Sequence, residues 1–483
     1  MDHTGKNQKK TMTRDEIIKL HESTANRKIS GGQTVFMYLL FAVLAAGLIC
    51  FFLFVDFIPS KAFYDYPLYL FLYTGFVLMV VNVVFFAWQI LLVMQYKTYP
   101  VPDDDSKLPT LGVIVPAFNE GQQVSETLKS LLASNYPKDK LEIITVNDGS
   151  KDDTWEWMHT AVSEGGGRLI AMDLPKNAGK RNALYKGLLV SSAEVIVTID
   201  SDSIVLPDTI REIAAPFAAD PSIGGVAGNI RVLNTDGGMI PKMLDVSFVF
   251  GFEFLRSAQS MVRAVLCTPG ALSAYRREAI LPHMNEWVNE KFFGKPANIG
   301  EDRAITNILI REGWGIVFQR TATIYTEMPT TYKGLCKMMI RWSRSNVREN
   351  YSMSKFAYRR FDLNNGELTG MQANLLVQIF WMIAPILFAY YTVQCMLIHA
   401  YSFWLGLTVS ICFWSTLPAF VFAQRYDRKK SLWSYVYGFY SFLTLFWISP
   451  YSLFTVTESG WLTRQAPKPA AAPPQNNQPT TDQ

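Results

Sequence analysis

Between Leu111 and Pro329 the chain repeats one pattern: a short β-branched apolar run, a polar loop, then a segment with helical apolar spacing. The runs at Leu111–Val115, Leu141–Val146, Arg168–Met172 and Val195–Ile199 read as strands. The segments at Val124–Ser134, Thr154–Ser163 and Asn177–Val190 read as the helices between them. Strand and helix alternating at this length predict an α/β domain with a parallel sheet flanked by helices. Such sheets collect ligands at the carboxyl ends of their strands. Those ends carry Pro116-Ala117-Phe118-Asn119-Glu120, Asn147-Asp148-Gly149-Ser150 and Asp200-Ser201-Asp202, so three polar loops converge on one edge.

The chemistry of these loops suits a nucleotide. Asp200 and Asp202 sit two apart on an extended chain, so both carboxylates reach one side. There they can hold one divalent cation, and through it a diphosphate. Asp148, on a tight turn at Gly149, can accept hydrogen bonds from a base or ribose. Lys180 and Arg181 can neutralise phosphate charge, although the pair also fits a solvated helix start. The chain has no Gly-x-x-x-x-Gly-Lys-Ser/Thr loop and no Gly-x-Gly-x-x-Gly after the first strand. An ATPase and a dinucleotide oxidoreductase are both disfavoured on that ground. The five cysteines and five histidines are scattered without zinc-ligand spacing, and the cysteines read as buried thiols in a reducing compartment.

Flanking this domain the composition changes, which is why 49% of 483 residues are hydrophobic. Val35–Phe57 and Pro67–Val93 are nearly unbroken apolar runs that reach the roughly 20 residues needed to cross a bilayer. Lys19, Arg27 and Lys28 precede the first and Lys97 follows the second. The positive-inside bias therefore places the amino terminus and the section after Tyr96 in the cytoplasm. Residues 1–34 read as a polar cytoplasmic segment, disordered or loosely held at the membrane surface, with a short helix at Thr13–Ser23. Residues 35–96 read as two transmembrane helices, 97–110 as a linker and 111–330 as the α/β domain. Leu375–Ile398 and Phe403–Ala423 are two further candidate spans. Leu432–Phe454, broken by tyrosines and Pro450, reads as an interfacial or re-entrant element, and the tail 465–483 as disordered.

The ordered motifs resemble family 2 inverting glycosyltransferases. Val115-Pro116-Ala117-Phe118-Asn119-Glu120, Asn147-Asp148-Gly149-Ser150, Gly179-Lys180-Arg181 and Asp200-Ser201-Asp202 are similar to their donor-binding motifs. Gly270-Ala271-Leu272-Ser273-Ala274-Tyr275-Arg276-Arg277, Gly300-Glu301-Asp302-Arg303 and Arg341-Trp342-Ser343-Arg344-Ser345 look like the processive membrane branch, hyaluronan synthases and nodulation-type chitooligosaccharide synthases. The resemblance implies a cytoplasmic GT-A (Rossmann-like) domain inserted between transmembrane helices, with amphipathic interface helices at 331–374 and a C-terminal membrane part at 375–457. It implies Asp302 as general base and Asp202 as the ligand of a cofactor ion, Mg2+ or Mn2+. Pro116, Asn119, Glu120, Asp148, Lys180, Arg181, Asp200 and Arg341 would hold the nucleotide donor. Cys267, Glu301, Arg303 and Trp342 would meet the sugar substrate. Glu458 to Arg464 is similar to the Trp-Gly-Thr-Arg gating loop, which implies nucleotide contacts from Trp461, Thr463 and Arg464.

One departure stands out. Where the family pattern is Gln-x-x-Arg-Trp, position 338 is methionine, which cannot supply the glutamine's hydrogen bond. Leu335, Met338, Met339 and Trp342 share one face of a predicted amphipathic helix, and Arg341, Arg344 and Arg348 another. The expected activity is a plasma-membrane enzyme that takes UDP-sugars, extends a β-linked polysaccharide acceptor and passes it outward through the lipid bilayer, with no nucleic acid partner. A nonprocessive transferase acting on a lipid carrier, a mannuronan-type synthase using a GDP-sugar, and a noncatalytic nucleotide-binding receptor remain as alternatives.

Overall fold

A computed structural model describes residues 14–25, 42, 46, 66–359, 362, 364–387, 389–398 and 400–458. The expected span at Val35–Phe57 apart from residues 42 and 46, the residues Trp461, Thr463 and Arg464, and the tail lie outside the described residues.

Ten strands follow in chain order: β1 (Leu111–Ala117), β2 (Leu141–Asn147), β3 (Leu169–Asp173), β4 (Val195–Ile199), β5 (Ser203–Val205), β6 (Ile223–Val232), β7 (Leu272–Arg276), β8 (Lys291–Phe292), β9 (Lys295–Pro296) and β10 (Gly315–Thr326). Eight of them form one sheet in the order β3-β2-β1-β4-β7-β6-β10-β5, while β8 and β9 pair with each other. Every residue of β1, β4 and β6 is buried, the pattern of strands covered on both faces. The chain runs outward from β1 through β2 to β3, then returns to the other side of β1 as β4, all in parallel. The boundary between β1 and β4 is therefore a topological switch point, where a crevice opens beyond the strand ends. Asn119, Glu120, Asp200 and Asp202 follow these two strands.

The sheet is mixed rather than wholly parallel. β7 runs antiparallel to both β4 and β6, and β5 antiparallel to β10. No helical crossover separates β4 from β5, and β7 follows a long helical insertion, so neither belongs to the strand–helix repeat visible in the sequence.

That insertion holds a second difference. Met239–Phe248 is α-helical, Val249–Arg256 is a π-helix, and Ser257–Met261 is α-helical again. The wider π-turn explains the alternating phenylalanines, which an unbroken α-helix would scatter. Phe250 and Phe254 stack with ring centroids 5.1 Å apart and pack toward Phe86, Leu417 and Phe422 of the flanking apolar helices. Phe248 and Phe252 pair at 5.5 Å and join the core of the domain.

The π-helix also carries Glu253, only 1% exposed, whose carboxylate receives hydrogen bonds from Arg425, Tyr426 and Asn229. Alongside it, Arg231 forms a two-point ion pair with Asp245 and lies 3.8 Å from the Tyr426 ring centroid. This charged knot ties β6 to the end of the helix Ala400–Arg425. Among the described residues, Phe403–Arg425 is the one helix long and apolar enough by itself to cross a membrane.

Within the amino-terminal segment, residues 14–25 are docked on the domain. Arg14–Ala25 is a helix, and Ile17, 1% exposed, packs with Leu206, Leu233 and Tyr325 of the domain. The predicted interface helix at Tyr332–Ala357 also differs from a surface-lying amphipath. Leu335 and Met338 are buried as its apolar face requires, but Arg344 and Arg348, each 2% exposed, are buried as well.

Breaking a buried charge pair strands its partner, at a cost of about 3–5 kcal/mol. Glu253→Ala should lower stability by about that amount in denaturant titrations, and the double variant Glu253→Met, Arg425→Met should recover much of it. Equal stability of wild type and Glu253→Ala would show that the knot is not what joins helix to domain.

Candidate active site

The loops after β1 and β2 are stitched together by their own side chains. Asn119, at φ 53°, donates its backbone N–H to Ser150 Oγ at 3.0 Å and accepts from Lys151 N–H at 2.9 Å. The backbone N–H groups of Glu120 and Gly121 both donate to Thr154 Oγ1, and Ser201 Oγ donates to Glu120 Oε1 at 3.0 Å. Asn119 and Glu120 thus shape the crevice from behind, whereas Pro116 lines it.

Asp148, 3% exposed, reaches across to a third loop. Its two carboxylate oxygens accept the N–H groups of Ala178 and Gly179 at 2.9 and 2.8 Å. Burial raises its proton affinity, and these two donors oppose the rise without cancelling it. Gly149 must be glycine: its φ is 68°, and an added Cβ would lie 2.6 Å from the backbone of Asn177. The result is a cavity of about 840 Å³ lined by Pro116, Asp148, Trp155, Asp173, Lys180 and Asp200, among others. Trp155 and Asp173 escaped the sequence analysis, because each belongs to an ordinary helix or strand end until the sheet brings them together.

Lys180 starts the helix Lys180–Val190 and turns its ammonium into the centre of the site. It lies 2.6 Å from Asp200 Oδ1 and 3.0 Å from Glu301 Oε1. Burial works against its charge, but the carboxylates of Asp200 and Glu301 outweigh burial and hold it protonated. Glu301 and Asp302 open the helix Glu301–Arg311, after Gly300 at φ 76°. Gly270 N–H donates to Asp302 Oδ2 at 3.0 Å and Arg303 N–H to Asp302 Oδ1 at 2.8 Å. The two neighbouring acids are driven apart. Burial pushes Glu301 upward, but the adjacent Lys180 charge overrides it and keeps that carboxyl low. Burial and the negative charge of Glu301 together push Asp302 above the ordinary range.

A second cavity, about 720 Å³, is lined by Asp200, Asp202, Cys267, Glu301, Asp302 and Arg303, and also by Met338, Arg341 and Trp342. It extends to Phe85 and Phe86 of the helix Tyr66–Gln95 and to Trp381 of the helix Gly366–Leu387. Trp342 is 37% exposed and packs against Phe248 at 6.0 Å. Met338 gives this wall a thioether in place of an amide. The Cys267 thiol is pushed up to about 11 by burial and then by Asp302, so it stays neutral. Arg303 is held on the wall of this cavity, its guanidinium donating to Asn346 Oδ1 and Asn350 Oδ1 at 2.7 and 2.9 Å.

Arg181 does not join the phosphate-facing group. Its guanidinium donates to the Trp287 carbonyl at 2.6 Å and to Glu290 at 2.7 Å, beside the Trp287 ring. Sequence adjacency misled here: consecutive helix residues point about 100° apart, so Lys180 and Arg181 cannot serve one site equally.

No group of three or more His, Cys, Asp or Glu side chains suited to a metal occurs among the described residues. Asp202 nonetheless faces the second cavity, with Thr326 Oγ1 3.4 Å from its carboxylate and Glu327 on the same wall. A hard divalent ion held mostly by diphosphate oxygens and water needs only one or two carboxylates, so the donor set fits.

A family model described as glycosyltransferase like family 2 matches residues 109–345. A hyaluronan synthase from Streptococcus pyogenes is 30% identical over 365 residues, covering 74% of this chain and 83% of that protein. An N-acetylglucosaminyltransferase from Rhizobium meliloti is 31% identical over 251 residues, 52% of this chain. That match spans 58% of the Rhizobium protein's length, somewhat over half. Among solved structures, a mannosyltransferase from Pyrobaculum calidifontis in complex with GDP-Man and Mn2+ aligns at TM-score 0.49 and 18% identity, over 76% of this chain and 97% of that one.

A Cβ added at Gly270 would sit 2.8 Å from Lys180 Nζ and 3.6 Å from the Asp302 and Glu301 carboxylates. Gly270→Ala should therefore displace the ammonium and leave the fold intact, because the end of a lysine moves easily. Turnover should drop on the order of tenfold to a hundredfold with an unchanged melting temperature. Wild-type turnover in this variant would refute the placement of Lys180.

Proposed function

The chain belongs to glycosyltransferase family 2, and we propose that it is a processive inverting hexosyltransferase, polymerising a β-linked, hyaluronan- or chitin-like polysaccharide from UDP-sugars and passing it across the membrane. The substrates are UDP-N-acetylglucosamine, with or without UDP-glucuronate. The observation that carries this reading is the continuity of the second cavity, from Asp202 and Asp302 past Trp342 to the apolar helices.

In this reading the nucleotide lies in the cavity under Asp148, with its diphosphate toward Asp200 and Asp202. Mg2+ or Mn2+ held there by Asp202 would offset the charge growing on the leaving diphosphate. Asp302 accepts the proton of the acceptor hydroxyl as that oxygen attacks the anomeric carbon opposite the leaving group. A carboxylate with raised proton affinity suits a base. Its backbone donors, Gly270 and Arg303, fix its direction. Trp342 offers its face to the acceptor sugar, and an apolar wall at Met338 leaves that sugar without the amide partner of the usual pattern.

The contacts also support a membrane topology. Residue 17 and residue 96 both touch the catalytic domain, Tyr96 through a 2.7 Å hydrogen bond to the Phe318 carbonyl. In the proposed topology residues 17 and 96 therefore share one side of the bilayer, which is compatible with the two apolar runs expected from the sequence. In the same topology residues 357 and 425 share that side, since Ala357 packs on the domain side and Arg425 binds Glu253. Between 431 and 458 the chain keeps touching the domain: Tyr332 donates to the Thr444 carbonyl at 2.8 Å, and Arg344 pairs with Thr455 and Glu458. That supports an interfacial element that stays against the domain as far as Glu458. These contacts are compatible with the proposed reading of a multi-pass plasma-membrane enzyme whose catalytic domain is cytoplasmic.

Two substitutions test the chemistry. Asp302→Asn should abolish sugar transfer by a factor on the order of a thousand or more, with UDP binding retained. Transfer surviving in that variant would remove Asp302 as base. For pH the sign is definite: a base with raised proton affinity loses activity on acidification at a higher pH than a free aspartate, near 4. Lys180 lowers the Asp302 value, so in Lys180→Met the acid limb of turnover at saturating donor should move to higher pH. A shift to lower pH would contradict the assignment.

A further inference from the structure

The strand that follows the metal-facing aspartate is the least supported part of the sheet. β5 has three residues, lies at the sheet edge, and pairs only with β10, in the register Ser203 to Thr326, Ile204 to Tyr325 and Val205 to Ile324. Edge strands this short hold few ladder bonds and depend on other elements to fix them. On the inner side the helix Gln123–Leu132 does this: Thr127 Oγ1 donates to the Ser201 carbonyl at 2.8 Å, and Val205 N–H donates to Ser130 Oγ at 3.2 Å. On the other side the partner is the amino-terminal helix. Ile17 and Ile18 pack with Ile204, Leu206, Leu233 and Tyr325 in one small apolar cluster. One turn later His21 meets Tyr325 edge-on, ring centroids 6.3 Å apart, with Nδ1 3.4 Å from the Tyr325 hydroxyl. Residues four apart share a helix face, so Ile17 and His21 grip the same strand end.

We propose that the helix Arg14–Ala25 is a strap on the active site, with Ile17 a positioning residue that sets the Asp202 carboxylate. Contact runs from Ile17 to Tyr325 and Ile204, which are register partners. The next pair in that register is Thr326 and Ser203, and Thr326 reaches Asp202 at 3.4 Å. Releasing Ile17 frees the outer side of β5, and the Asp200-Ser201-Asp202 turn then loses its support on that side. The core of the domain lies in a separate cluster of side chains and does not depend on this contact. The strap therefore acts on how tightly metal and donor are held more than on folding. The role of Asp202 in this argument rests on the proposed function; the mechanical link from helix to strand does not.

The test uses the full-length protein in detergent and three forms: wild type, Ile17→Asp and Ile17→Leu. Amide hydrogen exchange reads the mechanical link. Exchange at 203–205 and 325–326 should accelerate about tenfold or more in Ile17→Asp, stay at wild-type rates in β1 and β2, and be restored in Ile17→Leu. Titration of UDP binding against Mn2+ reads the consequence: the midpoint should rise about tenfold in Ile17→Asp and not in Ile17→Leu. Unchanged exchange at 203–205 in Ile17→Asp overturns the strap. Accelerated exchange with an unchanged Mn2+ midpoint overturns its role in positioning Asp202. A wild type that binds no UDP at any Mn2+ concentration overturns the nucleotide-sugar reading of the site, and with it the role of Ile17 in metal binding, while the exchange data still decide the mechanical link.

Discussion

A single buried ammonium holds the candidate site together. Lys180 is 9% exposed and bridges Asp200, at the end of β4, and Glu301, at the start of a helix that follows in the chain by a hundred residues. Without it, three carboxylates would crowd one desolvated crevice, and the repulsion would be relieved only by protonation or by spreading the loops. With it, Glu301 stays charged, the proton affinity of Asp302 is held below what burial and Glu301 alone would give, and the switch point between β1 and β4 is pinned to the helix that opens at Glu301. An incoming diphosphate, being anionic, would meet the same ammonium and compete with these carboxylates for it.

This dependence explains which parts were legible in the sequence. The strands β1, β2 and β4 announce themselves as β-branched runs, and Asp148, Asp200 and Asp202 stand at their ends, so one-dimensional pattern sufficed. Asp302 was legible only through resemblance, because Gly-Glu-Asp-Arg at a helix start is unremarkable chemistry. β7 and β10 were missed as strands, since their pairing depends on partners far away in the chain. Arg181 reads as a twin of Lys180 yet turns to Trp287 and Glu290, a choice settled by helix rotation and a distant loop.

Packing decided the remaining differences. The alternating phenylalanines of 248–254 make sense once a π-helix lets successive rings serve two apolar clusters. Arg344 and Arg348 look like a solvated face in the sequence, but the helix Tyr332–Ala357 is enclosed on more than one side, with Arg344 bound to Glu458 and Arg348 to Glu349. The polar amino terminus carries a compact apolar pair, Ile17 and Ile18, too short to register as a pattern and still enough to dock. In each case the decisive partner lies far along the chain, where periodicity has nothing to say.

The proposed coupling of synthesis to export depends on one geometric property, that the space holding Asp302 is continuous with space between apolar helices. It is tested most directly with the purified protein in sealed vesicles, catalytic domain outward, supplied with labelled UDP-sugars, singly and paired. The account predicts a high-molecular-weight β-linked polymer that resists added glycosidase until detergent opens the vesicle. A product confined to one or a few sugars on an extractable lipid, fully accessible from outside, would contradict it.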